Sequence, residues 1–414
     1  MKDQLTLILL TQKFPFETGE EFIAGELNRL QEVFDHVVII PTAVRDFSNP
    51  RYTGPKTSVR IVKNPASIKE IAFKFIGRFF QAFIILIAEL RKSGWNLKLL
   101  KHYIYHIPYA LQLKSIFFKE MNYPGEFVLY SYWMDTNAFA ASLLKRDNPE
   151  VKLVVRSHGG DLYNERHASG SVAFRQSVYA EAESLLFISD HGYNYASIRY
   201  PSHLSKMKVF RLGVESYDSF TDSDFPEVFH IVSCSSLVPL KRVNLIAEVL
   251  NTCNLPIFWT HFGGENSEIG ELQKSLHNLR ENLKVNWKGK VDNSDIHSYY
   301  ASNHIDLLIN LSSSEGIPVS MMEAISFGIP LFANAVGGIP EIAGGETGML
   351  LPEGLSLEML AFHLEQFLIS GKTRDLQFRE GVKRFYSENY SAKSNYDRLI
   401  MHLQKHSFKV HKPL

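Results

Sequence analysis

The sequence is short of cysteine, of net charge and of long apolar runs, and each shortage removes a class of protein. Its two cysteines, Cys234 and Cys253, cannot form a disulfide scaffold and show no metal-ligand spacing. So low a count fits a reducing compartment. With 44 Lys+Arg against 44 Asp+Glu, the whole chain is not a general binder of polyanions. No stretch reaches the roughly 20 continuous apolar residues needed to span a bilayer. The nearest is FFQAFIILIA, Phe79 to Ala88, which contains Gln81 and is flanked by Lys74, Arg78, Arg91 and Lys92. The opening MKDQLTLILLTQKFP has no small-residue cleavage site after its apolar part, so it reads as a first strand and not as a signal peptide. A cytoplasmic location is therefore expected, with peripheral attachment to the inner face of the plasma membrane left open.

What is present is enough apolar material for more than one core. The chain has 414 residues, 45% hydrophobic, and single cores stop growing beyond roughly 250–300 residues. Two domains are the natural expectation. The N-terminal half alternates strand-like runs (Leu5–Leu10, His36–Ile40, Phe127–Tyr132, Val151–Ser157, Ser184–Ser189, Lys208–Leu212) with helical patterns. Helices are expected over Glu20–Phe34, 66–92, 96–121 and around Ala138–Leu144. On the first of these, Phe22, Ile23, Leu27, Leu30 and Val33 form one face, which leaves Glu26 on the surface. An acidic Asp/Ser-rich stretch, VESYDSFTDSDFPE, reads as a linker. The alternation then restarts from His230 and runs to Pro330–Ala333. Strands alternating with helices imply parallel sheets. Two such series imply an α/β fold of two doubly wound, Rossmann-like domains facing across a cleft, with ligands outside the carboxyl ends of the strands. The expected division is 1–215, a linker at 216–228, 229–390, and a C-terminal helix and tail at 391–414.

Charge is uneven along the chain. Residues 51–120 hold 13 Lys/Arg against 3 Asp/Glu, together with Phe73, Phe75, Phe79, Phe80, Phe83 and Trp95. Such a stretch is either a helical region with solvated cations over a buried face or a basic, aromatic surface suited to anionic lipid. Nucleic acid is not expected, because no nucleic-acid motif accompanies it.

The residues that suggest chemistry concentrate in Ile309–Pro352, INLSSSEGIPVSMMEAISFGIPLFANAVGGIPEIAGGETGMLLP. A buried strand opens into a Ser-rich loop, then Glu315 and Gly316, and Pro318 pre-sets a helical turn. A helix N-terminus offers free N–H groups and a positive dipole end, suited to a diphosphate. Glu315 precedes that helix and Glu323 lies about one and a half turns inside it. Two carboxylates so placed can hold pairs of sugar hydroxyls at different points of one ligand, although a loop acid and a solvated helix acid give the same spacing.

This stretch resembles the donor-site motif of the retaining glycosyltransferases of family four, the group 1 enzymes with two Rossmann-like domains (the GT-B architecture), of the type found in colanic acid and capsular polysaccharide synthesis. The likeness is carried by Ser314-Glu315-Gly316, Met322-Glu323-Ala324, Gly328-Ile329-Pro330, Gly337-Gly338-Ile339-Pro340-Glu341-Ile342 and Gly348-Met349-Leu350-Leu351-Pro352. It implies that Glu323 binds the nucleotide ribose, that Glu315 holds hydroxyls of the transferred hexose, and that Gly316, Ile317 and Pro318 supply backbone near the phosphates. Ser233–Asn244 resembles the family segment carrying an Arg and, five positions later, a Lys on the diphosphate. Lys241 matches the Lys, Ser236 stands where the Arg commonly sits, and Arg242 is the candidate to compensate. Phe262-Gly263-Gly264-Glu265 is similar to a glycine turn beside the phosphates, and Lys288 and Val291 to base contacts.

In the N-terminal half, Val155–Tyr163 resembles the His-Gly-x-Asp loop, which puts His158 at the reaction centre and makes Asp161 the residue that orders the loop. Phe14–Ile23 resembles the first glycine-containing loop, with Gly19 and Glu20 as site members. Ser189 either lines the cleft or belongs to a core strand. By this resemblance the N-terminal domain binds the acceptor and the C-terminal domain the donor. The expected reaction moves a hexose from a nucleoside diphosphate sugar to a hydroxyl of a saccharide or lipid-linked oligosaccharide, with retention and with neither cofactor nor metal. Lys241, His158 and Glu315 are the expected catalytic residues. A nucleotide-sugar epimerase of the same fold and a noncatalytic nucleotide-sugar-binding protein are the alternatives, the latter favoured only by Ser236.

Overall fold

A computed structural model describes residues 4–62, 79–121, 125–217, 227–276 and 279–410. Phe73 and Phe75, the first part of the helix expected over 66–92, and most of the linker stretch lie outside them.

The chain forms two compact α/β units, 1–210 with 396–414, and 211–395. The first unit carries seven strands: β1 (Leu5–Thr11), β2 (His36–Pro41), β3 (Thr57–Val59), β4 (Glu126–Ser131), β5 (Leu153–Ser157), β6 (Ser184–Phe187) and β7 (Met207–Val209). They lie in the order β3-β2-β1-β4-β5-β6-β7, with every pairing parallel. Strands covered on both faces read as near-continuous apolar runs. In β1, Leu7 through Leu10 are fully buried, and β5 is buried along its length. Helices 79–92, 100–120 and 136–147 pack around this sheet, with Ile85, Tyr103, Ile107, Leu113 and Phe139 in the core. The last residues complete the unit, where Phe408 pairs antiparallel with Phe127 at the start of β4.

The second unit carries β8 (Phe229–Cys234), β9 (Ile257–Phe262), β10 (Leu283–Gly289), β11 (Leu307–Asn310), β12 (Leu331–Asn334) and β13 (Gly348–Leu351). Their order is β10-β9-β8-β11-β12-β13, again parallel throughout. Helices Val243–Thr252 and Leu357–Ile369 close one core around Trp259, Leu307 and Phe332.

Both sheets turn back on themselves beside their first strand, between β1 and β4 and between β8 and β11. In open α/β sheets such a switch point leaves a crevice at the carboxyl ends, where ligands bind. The motifs read from the sequence follow β1, β5, β8, β9 and β11, so the topology delivers each of them to that edge of its own sheet.

Three differences from the sequence reading have simple causes. β3 and β13 have three and four residues, too few to show a period. The helical pattern that the sequence shows over Ser267–Asn282 forms a helix at Asn266–Ser275. The face of helix Ile23–Val33 was read from apolar residues alone: Val33 is exposed, whereas Glu26 is fully buried. Glu26 can be there because Arg156, 130 residues away, meets it.

Candidate active site

In the second unit, three loops gather at the β8/β11 switch point. Ser313 N–H donates to Leu240 O at 2.9 Å and Arg242 Nε donates to Leu311 O at 2.8 Å, so the loops after β8 and β11 are stapled together. Arg242 adopts a left-handed conformation (φ 47°) to do this. The structure thus places Arg242 on a carbonyl, and Ser236 in an exposed position. Lys241 Nζ donates to Glu315 Oε1, which also accepts from Ser312 Oγ at 2.8 Å. Glu315 is 7% exposed. A cation and a carboxylate, each a candidate ligand group, therefore neutralise one another at the mouth of the site.

Behind Glu315 the chain turns through Gly316, Ile317 and Pro318, the last two buried, into helix Val319–Ser326. Pro318 stands at the N-cap with no side chain capping the helix. Its carbonyl accepts from the Met321 and Met322 N–H groups at 3.1 and 3.3 Å. Inside the helix, Glu323 is buried, accepts from Asn293 Nδ2 at 3.1 Å and lies 3.3 Å from His297 Nε2. Tyr217 packs against His297, with ring centroids 4.5 Å apart. Asn293, His297 and Tyr217 were not foreseen from sequence. The i, i+4 spacing of Asn293 and His297 on helix 293–302 was the available signal.

Glycines set the closeness of these loops. A Cβ on Gly263 would lie 2.0 Å from Ser235 O, and one on Gly264 2.5 Å from Leu237 Cδ1. Gly337 (φ 55°) lies against the loop that carries Glu315: a Cβ there would stand 1.9 Å from Glu315 O. Its neighbour Gly338 donates from N–H to Gly316 O at 3.0 Å. The Gly-Gly after β12 is thus the support on which Glu315 and Gly316 rest. Lys288 is exposed and its ammonium lies 5.2 Å from the Tyr299 ring centroid.

In the first unit, the loops after β1, β4 and β5 meet around His158. Its imidazole is buried among Tyr132, Trp133 and Phe22, with ring centroids at 5.0, 4.4 and 6.0 Å. Neither ring nitrogen has a hydrogen-bond partner among the described residues. Burial and the nearby Arg156 cation hold the ring well below the usual histidine range, so it is neutral. Asp161 accepts from His158 N–H at 2.5 Å and from Met134 N–H at 2.7 Å, joining two of these loops. Burial raises its carboxyl to about 7.

Glu20 organises the loop after β1. Its carboxylate accepts from the N–H groups of Gln12, Lys13 and Phe14 at 3.1, 2.6 and 2.6 Å, and from Trp133 Nε1. It shapes the loop that carries Gly19, which is exposed at φ 105° with open space around its α-carbon. Ser189 caps helix Asp190–Arg199 by accepting from Gly192 N–H at 3.0 Å. No group of three or more His, Cys, Asp or Glu that could hold a metal occurs among the described residues. The sequence does contain one Asp-x-Asp triplet, Asp222-Ser223-Asp224, within the linker stretch and outside the described residues.

Residues 221–384 match the family described as glycosyl transferases group 1. The chain is 25% identical over 254 residues to a putative colanic acid biosynthesis glycosyltransferase, WcaL of Salmonella typhimurium, covering 58% of this chain and 61% of that protein. It is 27% identical over 164 residues to the O-antigen biosynthesis glycosyltransferase WbnH of Escherichia coli, covering 40% and 45%. A UDP-N-acetylglucosamine–peptide N-acetylglucosaminyltransferase subunit, GtfA of Streptococcus pneumoniae, is 28% identical over 37% of this chain and 30% of its own. The chain thus spans less than two thirds of the length of these relatives. Among solved structures, WaaG, a glycosyltransferase of lipopolysaccharide biosynthesis, superposes with a TM-score of 0.65 at 13% identity, over 96% of this chain and 99% of that one. Anabaena HepE in complex with UDP-glucose gives 0.65 at 14%, over 97% and 99%.

Proposed function

Since the chain carries a glycosyl transferases group 1 domain over residues 221–384, we propose that the protein is a retaining, metal-independent hexosyltransferase of cell-surface polysaccharide synthesis. Its donor in this reading is a uridine diphosphate sugar, as the names of GtfA and of the HepE complex suggest. What supports the reading above all is the clustering of Lys241, Glu315 and an uncapped helix start at the β8/β11 switch point, with Glu323 buried one and a half turns behind.

The diphosphate lies at the start of helix 319–326 and draws Lys241 to itself, which releases Glu315 to the hexose hydroxyls. Glu323, steadied by Asn293, takes the ribose hydroxyls. The bond between the anomeric carbon and the diphosphate oxygen breaks as the acceptor oxygen bonds to the same face of that carbon. The acceptor's proton passes to the departing phosphate oxygen. Fixed positive charge at the leaving group is the main contribution to rate in such a site. Neutral His158 acts as a hydrogen-bonding partner for the sugar.

Calorimetry with UDP, GDP and ADP tests the donor site. UDP is expected to bind, and Glu323→Ala to weaken it by about ten- to a hundredfold, the value of charge-assisted hydrogen bonds. Equal binding of UDP to wild type and variant removes the ribose role, and no binding of any nucleotide removes the transferase reading. Anomeric couplings in the product report retention, and an undiminished rate in EDTA reports metal independence.

A lipid-linked acceptor at an anionic membrane fits the surface of residues 79–105. Phe79, Phe80, Phe83 and Ile84 are all at least half exposed on one helix, and Phe80 is 81% exposed. Trp95, Leu97, Ile104 and Tyr105 are exposed nearby, interleaved with Arg91, Lys98 and Lys101. Exposed apolar residues in a contiguous run beside cations mark an interaction surface, and no helix among the described residues is long and apolar enough to cross a membrane. Binding to vesicles containing anionic lipid is expected. A Phe80→Glu/Phe83→Glu variant should lower the bound fraction by at least about tenfold, given roughly 1.5–3 kcal/mol per buried Phe. Undiminished flotation of that variant would exclude this surface.

A further inference from the structure

The pair that corrected the reading of helix Ile23–Val33 lies directly behind the His158 cluster. Arg156 Nη1 donates to Glu26 Oε2 at 2.5 Å, and both side chains are completely buried. The arrangement is layered. The Arg156 guanidinium carbon lies 5.3 Å from the Tyr132 ring centroid, and the imidazole of His158 stacks on Tyr132 at 5.0 Å with the planes 20° apart. Tyr132 Oη also donates to Glu26 Oε2 at 3.4 Å. A second tyrosine, Tyr130, has its ring centroid 5.8 Å from the guanidinium.

As a source of stability this pair is poorly built. Glu26 Oε1 and Arg156 Nε and Nη2 have no hydrogen-bond partner among the described residues. A buried ion pair repays its desolvation only when its remaining atoms are satisfied, and apolar residues of similar volume often do as well or better. Its position accounts for it better than its energy does. We infer that the Glu26–Arg156 pair is a positioning element for His158, acting through the ring of Tyr132. The inference rests on the reading of His158 as a sugar-facing group.

The chemistry gives such an element a purpose. The transferred hexose develops positive charge at its anomeric carbon, and an imidazolium facing it would oppose that charge. A fixed cation two residues before it makes protonation of His158 unfavourable, and the Tyr132 ring lies against both the guanidinium and the imidazole. Other charged or titratable groups face the same cluster. Asp161 is bound to the His158 backbone N–H. Glu20 is bound to Trp133. Asp135 accepts from Gln12 Nε2 at 3.0 Å. Tyr130 and Tyr132 are phenols that burial keeps neutral. Of these groups, Arg156 is the one whose charge bears on the imidazole.

The test uses the full-length protein with labelled histidine, following the His158 ring signal, assigned with His158→Gln, against pH. In Glu26→Met/Arg156→Met, which removes both charges and keeps the volume, His158 should titrate higher by about one pH unit. UDP affinity should stay within about twofold, because the nucleotide groups lie in the other unit, while hydrolysis of UDP-glucose should fall by about tenfold through loss of the ring's placement. Tyr132→Leu, which leaves the ion pair in place and severs the layer, should lower hydrolysis similarly, and it serves as the test if the double variant does not fold. A folded variant of either kind with wild-type hydrolysis and an unchanged His158 titration would overturn the inference. Should His158→Ala hydrolyse UDP-glucose as fast as wild type, the sugar-facing role fails instead, and the titration still reports whether Arg156 acts on the ring.

Discussion

Replacing Lys241 by alanine is expected to lower transfer by about two to three orders of magnitude, the usual cost of removing one fixed group that stabilises a leaving anion. The expectation is this large because the site has little redundancy. Ser236 brings no charge to the position where relatives of this type commonly carry an arginine, and Arg242 is engaged on the Leu311 carbonyl. Among the described residues, Lys241 is the Lys or Arg at the β8/β11 edge that is paired with Glu315, the carboxylate proposed to hold the sugar. Its loss also strands Glu315 with the Ser312 hydroxyl as its side-chain partner among the described residues, and an uncompensated buried carboxylate is costly. Turnover and UDP affinity should both suffer, turnover more. Lys241→Arg should recover part of the affinity and less of the rate, since the planar fork cannot occupy the place of a point charge. The measurement is initial velocity against donor concentration for the three proteins. A Lys241→Ala enzyme within about threefold of wild type in kcat would show that the leaving group is stabilised elsewhere.

Gly337→Ala should weaken nucleotide binding by about ten- to a hundredfold, although residue 337 contacts no ligand in the proposed mechanism. The added methyl would meet Glu315 O at 1.9 Å, and the backbone there has a positive φ. Either the 311–318 loop moves, taking Glu315 and the helix start with it, or the unit unfolds more easily. Strain of this kind costs on the order of 1–3 kcal/mol, which for a unit of this size lowers the melting temperature by roughly 3–10 °C. Gly345→Ala is the control, since nothing lies within 4 Å of a Cβ built there. A Gly337→Ala protein that binds UDP as wild type would mean the loop carries Glu315 without that support.

The motif segments could be read because they are local. Ser314–Gly316, Met322–Ala324 and the Gly-Gly pairs each place their chemistry within a few residues of one strand end, and alternation of strands and helices was enough to put those ends at one edge of each sheet. What could not be read was whatever depends on a distant partner. Glu26 looked like a surface acid because its periodicity is that of a charged residue, and its partner is 130 residues away. The hold of Glu20 on the N–H donors of residues 12–14 and on the Trp133 ring, 113 residues away, has no mark in the sequence either. The supports of Glu323 come from helix 293–302 and from Tyr217, neither of which belongs to a recognisable motif.

The first unit is closed by the last residues of the chain, and this has a consequence for synthesis. The Phe408–Phe127 pairing and helix residues from Tyr396 onward belong to the unit that begins at the N-terminus. On the ribosome, β1 to β7 emerge first, yet their unit stays open while the whole of 211–395 is made. That second unit has both of its own ends side by side: Val214 bridges Ser391, and a Cβ on Gly213 would stand 2.6 Å from Ala392 Cα. It is a self-contained insertion, free to fold as soon as it is translated, at about 5–20 residues per second. The order of completion is then the reverse of the order of synthesis, and a released chain truncated at residue 395 would hold a finished second unit beside an unfinished first one.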